Sequence, residues 1–151
     1  MPLFTGEYKC KLDAKGRLVL PAKLKASLPA EAAQSVILMR GFEPCIYLYS
    51  LPYWHAIAQR VVALNEFVEE YRNFQRNFFR GHSEVELDAA GRLLIPRIML
   101  IHANIDKIVV VVGAGNRVEI WSPESYESTL IYQSQKFSQM AERIFGKEGS
   151  A

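Results

Sequence analysis

Short apolar segments, separated by turn-forming residues, run through most of this chain and predict a structure rich in β-strands. Two such segments enter and leave a turn, and two more form a second hairpin around a glycine. This order occurs twice along the chain. Segments of this kind, bounded by Gly, Pro, Asn and Asp, are typical of strands. The predicted strands cover residues 7–12, 17–20, 36–39 and 46–49, and then residues 84–87, 92–95, 108–112 and 118–121.

Prolines and serines after these strands mark where helices are expected to begin. Pro21 and Pro96 each follow a strand directly. Proline is well tolerated in the first turn of a helix, so we predict a short helix after each of them. Ser50 and Ser122 stand where helix N-caps are expected, each with a proline just inside the helix.

The strongest helical pattern follows Ser50. Apolar residues spaced three and four apart predict one long helix with a single apolar stripe. The stripe consists of Trp54, Ile57, Val61, Leu64, Val68, Tyr71 and Phe78. After Ser122 the spacing is weaker and is interrupted around residues 133–135, so we expect a broken helix that ends before Gly146.

An internal repeat organises the whole chain. Residues 12–21 read LDAKGRLVLP and residues 87–96 read LDAAGRLLIP, with seven of the ten positions identical. Further along, residues 36–41 align with 108–113, and residues 46–50 align with 118–122. Agreement in the same order over both blocks indicates a duplication.

The two copies are expected to share one core, because four short strands cannot bury a two-sided sheet alone. We predict two copies packed about a pseudo-twofold axis, in an α+β fold that is mainly β. The predicted organisation is a first repeat over residues 5–52, a connecting helix over 53–80, a second repeat over 82–125 and a C-terminal helical segment over 126–146.

Each copy carries an Asp-x-x-Gly-Arg turn, and its Asp and Gly fit the chemistry of a type I turn. We expect Asp13 and Asp88 to accept hydrogen bonds from nearby backbone N–H groups. Gly16 and Gly91 are expected to adopt the positive φ that closes the hairpin. These four residues are therefore predicted to form the turns.

The arginine after each glycine is not required by turn chemistry. Arg17 and Arg92 can pair with the aspartate four residues earlier, an interaction that stabilises little when exposed. That pair also holds the guanidinium fork in one orientation, which suits contact with a phosphate or a guanine edge. We therefore favour an anionic partner for both arginines.

Charge is distributed unequally between the copies, although the whole chain has a formal net charge of only +2. Residues 9–25 contain six basic residues (Lys9, Lys11, Lys15, Arg17, Lys23 and Lys25) and one acid, Asp13, a balance of +5. Residues 81–97 contain Arg92 and Arg97 and three acids (Glu84, Glu86 and Asp88), a balance of −1. The first copy is therefore the better candidate for a phosphate-binding surface, with Lys9, Lys11 and Lys15 near Arg17.

The two turn segments, the opening residues 4–8 (FTGEY) and the tandem layout resemble the MraZ family, in which one chain carries two AbrB-like units. The resemblance extends from about Phe4 to the C-terminal helix. It implies a double-split or swapped-hairpin β-barrel, a ring of several subunits, and binding to direct DNA repeats upstream of the division and cell-wall gene cluster. The family's Asp-x-x-x-Arg signature, associated with DNA binding, falls on Asp13 with Arg17 and on Asp88 with Arg92.

Other classes of function find little support in the sequence. The three histidines (His55, His82 and His102) lack catalytic or metal-ligand spacing, and no phosphate-binding glycine loop occurs, so we expect neither an enzyme nor a cofactor or metal. Cys10 and Cys45 are predicted to be reduced, partly buried thiols. With no signal core and no apolar span, the expected location is the cytoplasm and nucleoid, away from membranes.

Three interpretations of the function stay open at this point. The favoured one is a regulator that binds double-stranded promoter DNA as a self-associated ring and takes no small-molecule substrate. A ring-forming scaffold without DNA binding and an antitoxin-type AbrB-like regulator are the alternatives. A ring requires a head-to-tail interface, and the opposite charges of the two copies suggest that copy two of one subunit lies beside copy one of the next.

Overall fold

The computed structural model describes residues 3–30 and 35–146, and it is an α+β fold whose sheets form the core. The strands in this part of the chain are β1 Glu7–Lys11, β2 Arg17–Val19, β3 Ser35–Arg40, β4 Ile46–Ser50, β5 Ser83–Glu86, β6 Arg92–Leu94, β7 Ile108–Gly113 and β8 Val118–Trp121. The helices are α1 Ala22–Ala26, α2 Leu51–Val62, α3 Glu69–Phe79, α4 Arg97–His102, α5 Pro123–Glu127 and α6 Ser134–Ala141, and a π-helical turn follows at Glu142–Gly146.

The two copies exchange strands. The strands of the large antiparallel sheet follow the order β1-β7-β8-β4-β3-β5, and β2 pairs with β6 in a separate two-stranded ribbon. Strand β1 of the first copy therefore pairs with β7 of the second, and β5 of the second copy pairs with β3 of the first. Exchanging the copies reproduces the same strand order read backwards. This confirms the predicted pseudo-twofold arrangement with a shared core.

Alternating side chains of the large sheet pack against two different layers. One face packs against the two-stranded ribbon and the short helices, where Leu18, Leu93 and Met99 are almost fully buried. The other face packs against α2 and α3 through Trp54 and Phe78. Because successive strand residues point to opposite faces, the ribbon and the α2–α3 layer lie on opposite sides of the sheet.

The long helix predicted after Ser50 is instead two helices, α2 and α3. The break falls at residues 63–68, where the Asn65 side-chain carbonyl oxygen accepts a hydrogen bond from the Phe67 N–H at 3.0 Å. Asparagine readily makes this local bond, which competes with the helical one. The predicted stripe is accordingly split, since Trp54 and Phe78 are buried but Val68 and Tyr71 are exposed.

The predicted caps are confirmed. The Ser50 hydroxyl accepts a hydrogen bond from the Tyr53 N–H at 3.4 Å, and the Ser122 hydroxyl accepts one from the Ser125 N–H at 3.2 Å. Short helices follow Pro21 and Pro96, as expected. The C-terminal helix is broken, but the gap covers residues 128–133, earlier than predicted, and the π-helical turn extends to Gly146.

The remaining expectations concern the cysteines and the membrane. Both cysteines are free thiols, and burial raises the pKa of Cys45 to about 12. Cys10 is partly buried. Among residues 3–30 and 35–146, no helix is both long and apolar enough to cross a membrane.

Candidate nucleic-acid interface

The first Asp-x-x-Gly-Arg turn is closed by a dense set of hydrogen bonds. The Gly16 N–H donates to the Asp13 carbonyl oxygen at 3.0 Å, and Gly16 has φ +81°. One carboxylate oxygen of Asp13 accepts from the Lys15 and Arg17 N–H groups, both at 2.9 Å. The other accepts from Arg17 Nε at 2.6 Å. The same aspartate therefore shapes the turn and holds the arginine.

The second turn repeats this geometry. The Gly91 N–H donates to the Asp88 carbonyl oxygen at 2.9 Å, and Gly91 has φ +76°. Asp88 accepts from the Ala90 and Arg92 N–H groups at 2.9 Å and from Arg92 Nε at 2.8 Å. Both turns thus have the structure predicted for them, although their role toward a partner remains a prediction.

Each arginine is oriented but keeps donors available. Only Nε of Arg17 and of Arg92 is engaged by the aspartate, and no hydrogen bond within the described residues involves their terminal Nη atoms. Their side chains are 30% and 37% exposed, respectively. A guanidinium held at Nε presents its two Nη groups outward in a fixed plane, which suits a phosphate or a guanine edge.

Both aspartates stay ionised at neutral pH. The pKa of Asp13 is lowered chiefly by the hydrogen bond from the Arg17 backbone N–H; desolvation opposes this shift, and the Arg17 side chain and the Lys15 N–H add to it. The pKa of Asp88 is lowered by Arg92 in the same way. A lowered carboxyl pKa adds stability above the unfolded-state pKa, which is lost as the pH falls through the lower folded-state value.

The ribbon brings the two turns onto one surface. In the β2–β6 register, Arg17 lies opposite Leu94 and Arg92 lies opposite Val19. Leu18 and Leu93, which alternate with them, point into the core and are 0% and 1% exposed. The two arginines therefore occupy the outer face of one ribbon, related by the pseudo-twofold axis.

The lysines predicted for the first copy lie in two adjoining grooves. Lys15 lines a groove of about 500 Å³ beside the first turn, together with Arg97 and Lys107. Lys9 and Lys11, exposed on the edge strand β1, line a second groove of about 510 Å³ that shares Lys107 with the first. The basic residues around the first turn thus come from both copies.

Lys25, which was counted in the basic balance of the first copy, lies next to the second turn. Its Nζ lies 3.5 Å from the place where a Cβ on Gly91 would be, so Lys25 belongs beside the second turn. The equivalent neighbour of Gly16 is Leu100 of the second copy. The surroundings of the second turn are therefore less acidic than the charge balance of residues 81–97 indicates. The sequence alone does not show this, because residue 25 is distant from residue 91 and comes close to it only through the exchange of strands.

Comparison with known proteins finds the same tandem organisation. The profile of the MraZ protein family matches the chain twice in tandem, over residues 3–77 and 78–148. The chain belongs to the MraZ family. The family's description also likens it to antitoxins.

Several relatives of this MraZ-family chain carry the name transcriptional regulator MraZ. One from Cytophaga hutchinsonii is 57% identical over 95% of this chain and 95% of its own length. Those from Christiangramia forsetii and Heliobacterium modesticaldum are 39% and 36% identical, over 95% and 94% of this chain and 93% and 96% of their own lengths. The family is one of transcriptional regulators, not of enzymes.

The described part of this MraZ-family chain also offers no obvious metal centre. No cluster of three or more His, Cys, Asp or Glu side chains in residues 3–30 and 35–146 is arranged to hold a metal ion. His82 Nδ1 lies 2.7 Å from the Phe79 carbonyl oxygen, and His102 Nε2 lies 3.1 Å from that of Glu43. Each of these two histidines therefore has one ring nitrogen next to a backbone carbonyl oxygen.

Proposed function

We propose that this chain regulates transcription by binding double-stranded DNA in a sequence-specific manner through the β2–β6 ribbon. The observation that carries the proposal is the pair of Asp-oriented arginines on one exposed face. The resemblance of the turns to the MraZ signature supports direct repeats upstream of the division and cell-wall gene cluster as the target. The site of action is then the cytoplasm, at the nucleoid.

The shape and charge of the ribbon favour DNA over other anionic partners. The major groove of B-DNA, about 12 Å wide, accepts a two-stranded β-ribbon. Arg17 and Arg92 are the base-reading candidates, because a bidentate arginine recognises the O6 and N7 acceptors of guanine. Lys15, which lines the groove beside the first turn with Arg97 and Lys107, would contact the phosphate backbone.

Self-association into a ring is the second part of the proposal. Strand β1 with Lys9 and Lys11 and strand β5 with Glu84 and Glu86 form the two opposite edges of the large sheet. Opposite charges at opposite edges suit head-to-tail contact between copies.

The helical layer supplies the apolar part of such a contact. Phe67 on the α2–α3 connection is 89% exposed, and Phe137 on α6 and Phe145 on the π-helical turn are 62% and 66% exposed. A contiguous exposed apolar surface marks a protein–protein contact, and these three aromatic side chains are available to form one. Together with the charged edges, these side chains support a ring of several subunits.

A salt titration of DNA binding tests the proposal. The full chain is titrated against its own upstream region and against unrelated duplex DNA, with fluorescence anisotropy as the readout. Specific binding should weaken steeply with salt, with a negative log–log slope. Arg17→Ala should weaken specific binding by about tenfold or more.

Arg60→Ala is the matched control, because it removes the same charge from α2 on the opposite side of the sheet. It should leave affinity within about twofold, the effect of a distant screened charge. A ring-forming scaffold would bind neither duplex, with or without Arg17. Equal affinity for both duplexes would refute sequence-specific binding, and an Arg60→Ala loss matching that of Arg17→Ala would refute the ribbon as the interface.

A further inference from the structure

Two aliphatic side chains are exposed on the face of the ribbon that carries the arginines. Val19 is 56% exposed and Leu94 is 53% exposed, whereas Leu18 and Leu93 on the same strands are buried. Val19 and Leu94 occupy equivalent positions in the two copies. The ribbon thus exposes an apolar residue twice, at the same place in each repeat.

Each aliphatic side chain lies directly across the ribbon from an arginine. The register places Leu94 opposite Arg17 and Val19 opposite Arg92. Directly opposed residues of an antiparallel pair project from the same face, with Cβ atoms about 5 Å apart. The outer face is therefore a compact quartet of two guanidinium groups and two aliphatic groups.

The bases that such a quartet fits follow from its chemistry. We infer that Val19 and Leu94 determine specificity by contacting thymine 5-methyl groups in the major groove, beside guanines read by Arg92 and Arg17. The methyl group is the only apolar feature that a base pair presents there, and aliphatic side chains recognise it. This inference rests on the proposed binding of DNA by the ribbon.

The dimensions of the quartet limit how far apart the two bases lie. Three strand residues span about 7 Å between the first and third Cα atoms, which corresponds to about two base-pair steps of 3.4 Å. A thymine read by Val19 should therefore lie within about two base pairs of a guanine read by Arg17, two residues earlier on the same strand, and the same relation should hold for Leu94 and Arg92.

Thymine-to-deoxyuridine substitution tests this directly, because it removes only the 5-methyl group. Footprinting on the chain's own upstream region first defines the bound site, and the full chain is then titrated against that site with each thymine replaced singly. At one or two positions, uracil should weaken binding about fourfold, the value of burying one methyl group. Val19→Ala or Leu94→Ala should cause a similar loss on the natural site, and uracil at the matching position should then have no further effect.

Val62→Ala is the matched control, since Val62 is 65% exposed on α2, across the sheet from the ribbon. It should leave the uracil effect unchanged. Thermal unfolding of each variant checks that the fold is retained, and the salt slope should stay constant because no charge is removed.

The possible outcomes distinguish a failure of the methyl contact from a failure of the proposed DNA binding. If the wild-type chain binds its site but no uracil weakens it, the methyl contact is wrong and DNA binding stands. If Val19→Ala and Leu94→Ala lower the affinity for thymine DNA and for uracil DNA by the same factor, the side chains do not contact the methyl group and the inference fails. It fails also if these variants change the elution volume on a sizing column, because the side chains then pack between copies. If the wild-type chain binds no duplex, both ideas are wrong.

Discussion

Replacing Asp13 by asparagine separates the two roles of this side chain. Asparagine keeps one oxygen, which can still accept from the Lys15 and Arg17 N–H groups and so preserve the turn. Its amide nitrogen then faces Arg17 Nε, which now lies 2.6 Å from a carboxylate oxygen. Two donors cannot bond to each other, so the guanidinium is released while the backbone is retained.

The two effects of Asp13→Asn on DNA binding have opposite signs. Removing a negative charge near the phosphates should raise affinity, but by no more than about twofold for an exposed, salt-screened charge. A released Arg17 side chain samples several rotamers in the free protein. DNA binding must then fix one of them, which should lower the affinity about fivefold. If orientation matters, specific binding falls by about threefold. If Asp13 only shapes the turn, binding is unchanged or slightly stronger.

Anisotropy titrations on the footprinted site and on unrelated duplex DNA give the measurement. Asp106→Asn is the control, because Asp106 lines the same groove as the first turn but holds neither arginine. It should strengthen binding to both duplexes slightly. A gain in specific affinity for Asp13→Asn equal to that of Asp106→Asn would refute the orienting role. Thermal stability should change little, since exposed ion pairs contribute little.

Three further predictions follow from the exchange of strands. Lys25→Ala should weaken DNA binding and reduce the log–log salt slope by about one. The control Lys136→Ala on α6 should change neither the affinity nor the slope. If both variants lower the affinity equally, Lys25 does not contact the DNA. Glu84→Lys with Glu86→Lys should shift the oligomer distribution on a sizing column, and an unchanged elution profile would contradict the charged-edge contact. The fragment 1–80 should fold only as a dimer, with an unfolding midpoint that rises with protein concentration.

Most of the strands and helices were predicted correctly from the local sequence. The hairpin strands, the prolines that open α1 and α4, and the capping serines at positions 50 and 122 are each governed by nearby residues. The Asp13 and Asp88 turns were predictable for the same reason, since every bond in them spans at most four residues. The internal repeat also predicted the pseudo-twofold axis, because neither copy can form a core alone and the two equivalent copies must pack together.

Features that depend on contacts between the copies were not predictable in this way. The position of Lys25 beside Gly91 follows from which copy supplies each neighbour, and no local pattern contains that information. The break between α2 and α3 was hidden by apolar residues that continued the helical spacing. Those side chains, such as Val68, are exposed on the surface, so they fit the spacing without being needed in the core of the described chain.

The exchange of strands explains why one copy should not fold alone. Without the second copy, β1 lacks its partner β7, β3 lacks β5, and the ribbon loses β6. The unpaired backbone and the exposed Leu18 would make a monomer unstable. A second copy of residues 1–80 can supply equivalent strands, with Lys25 of its partner beside each Gly16, which gives a dimer whose stability depends on concentration. Cooperative, concentration-independent unfolding of this fragment as a monomer would contradict the shared core.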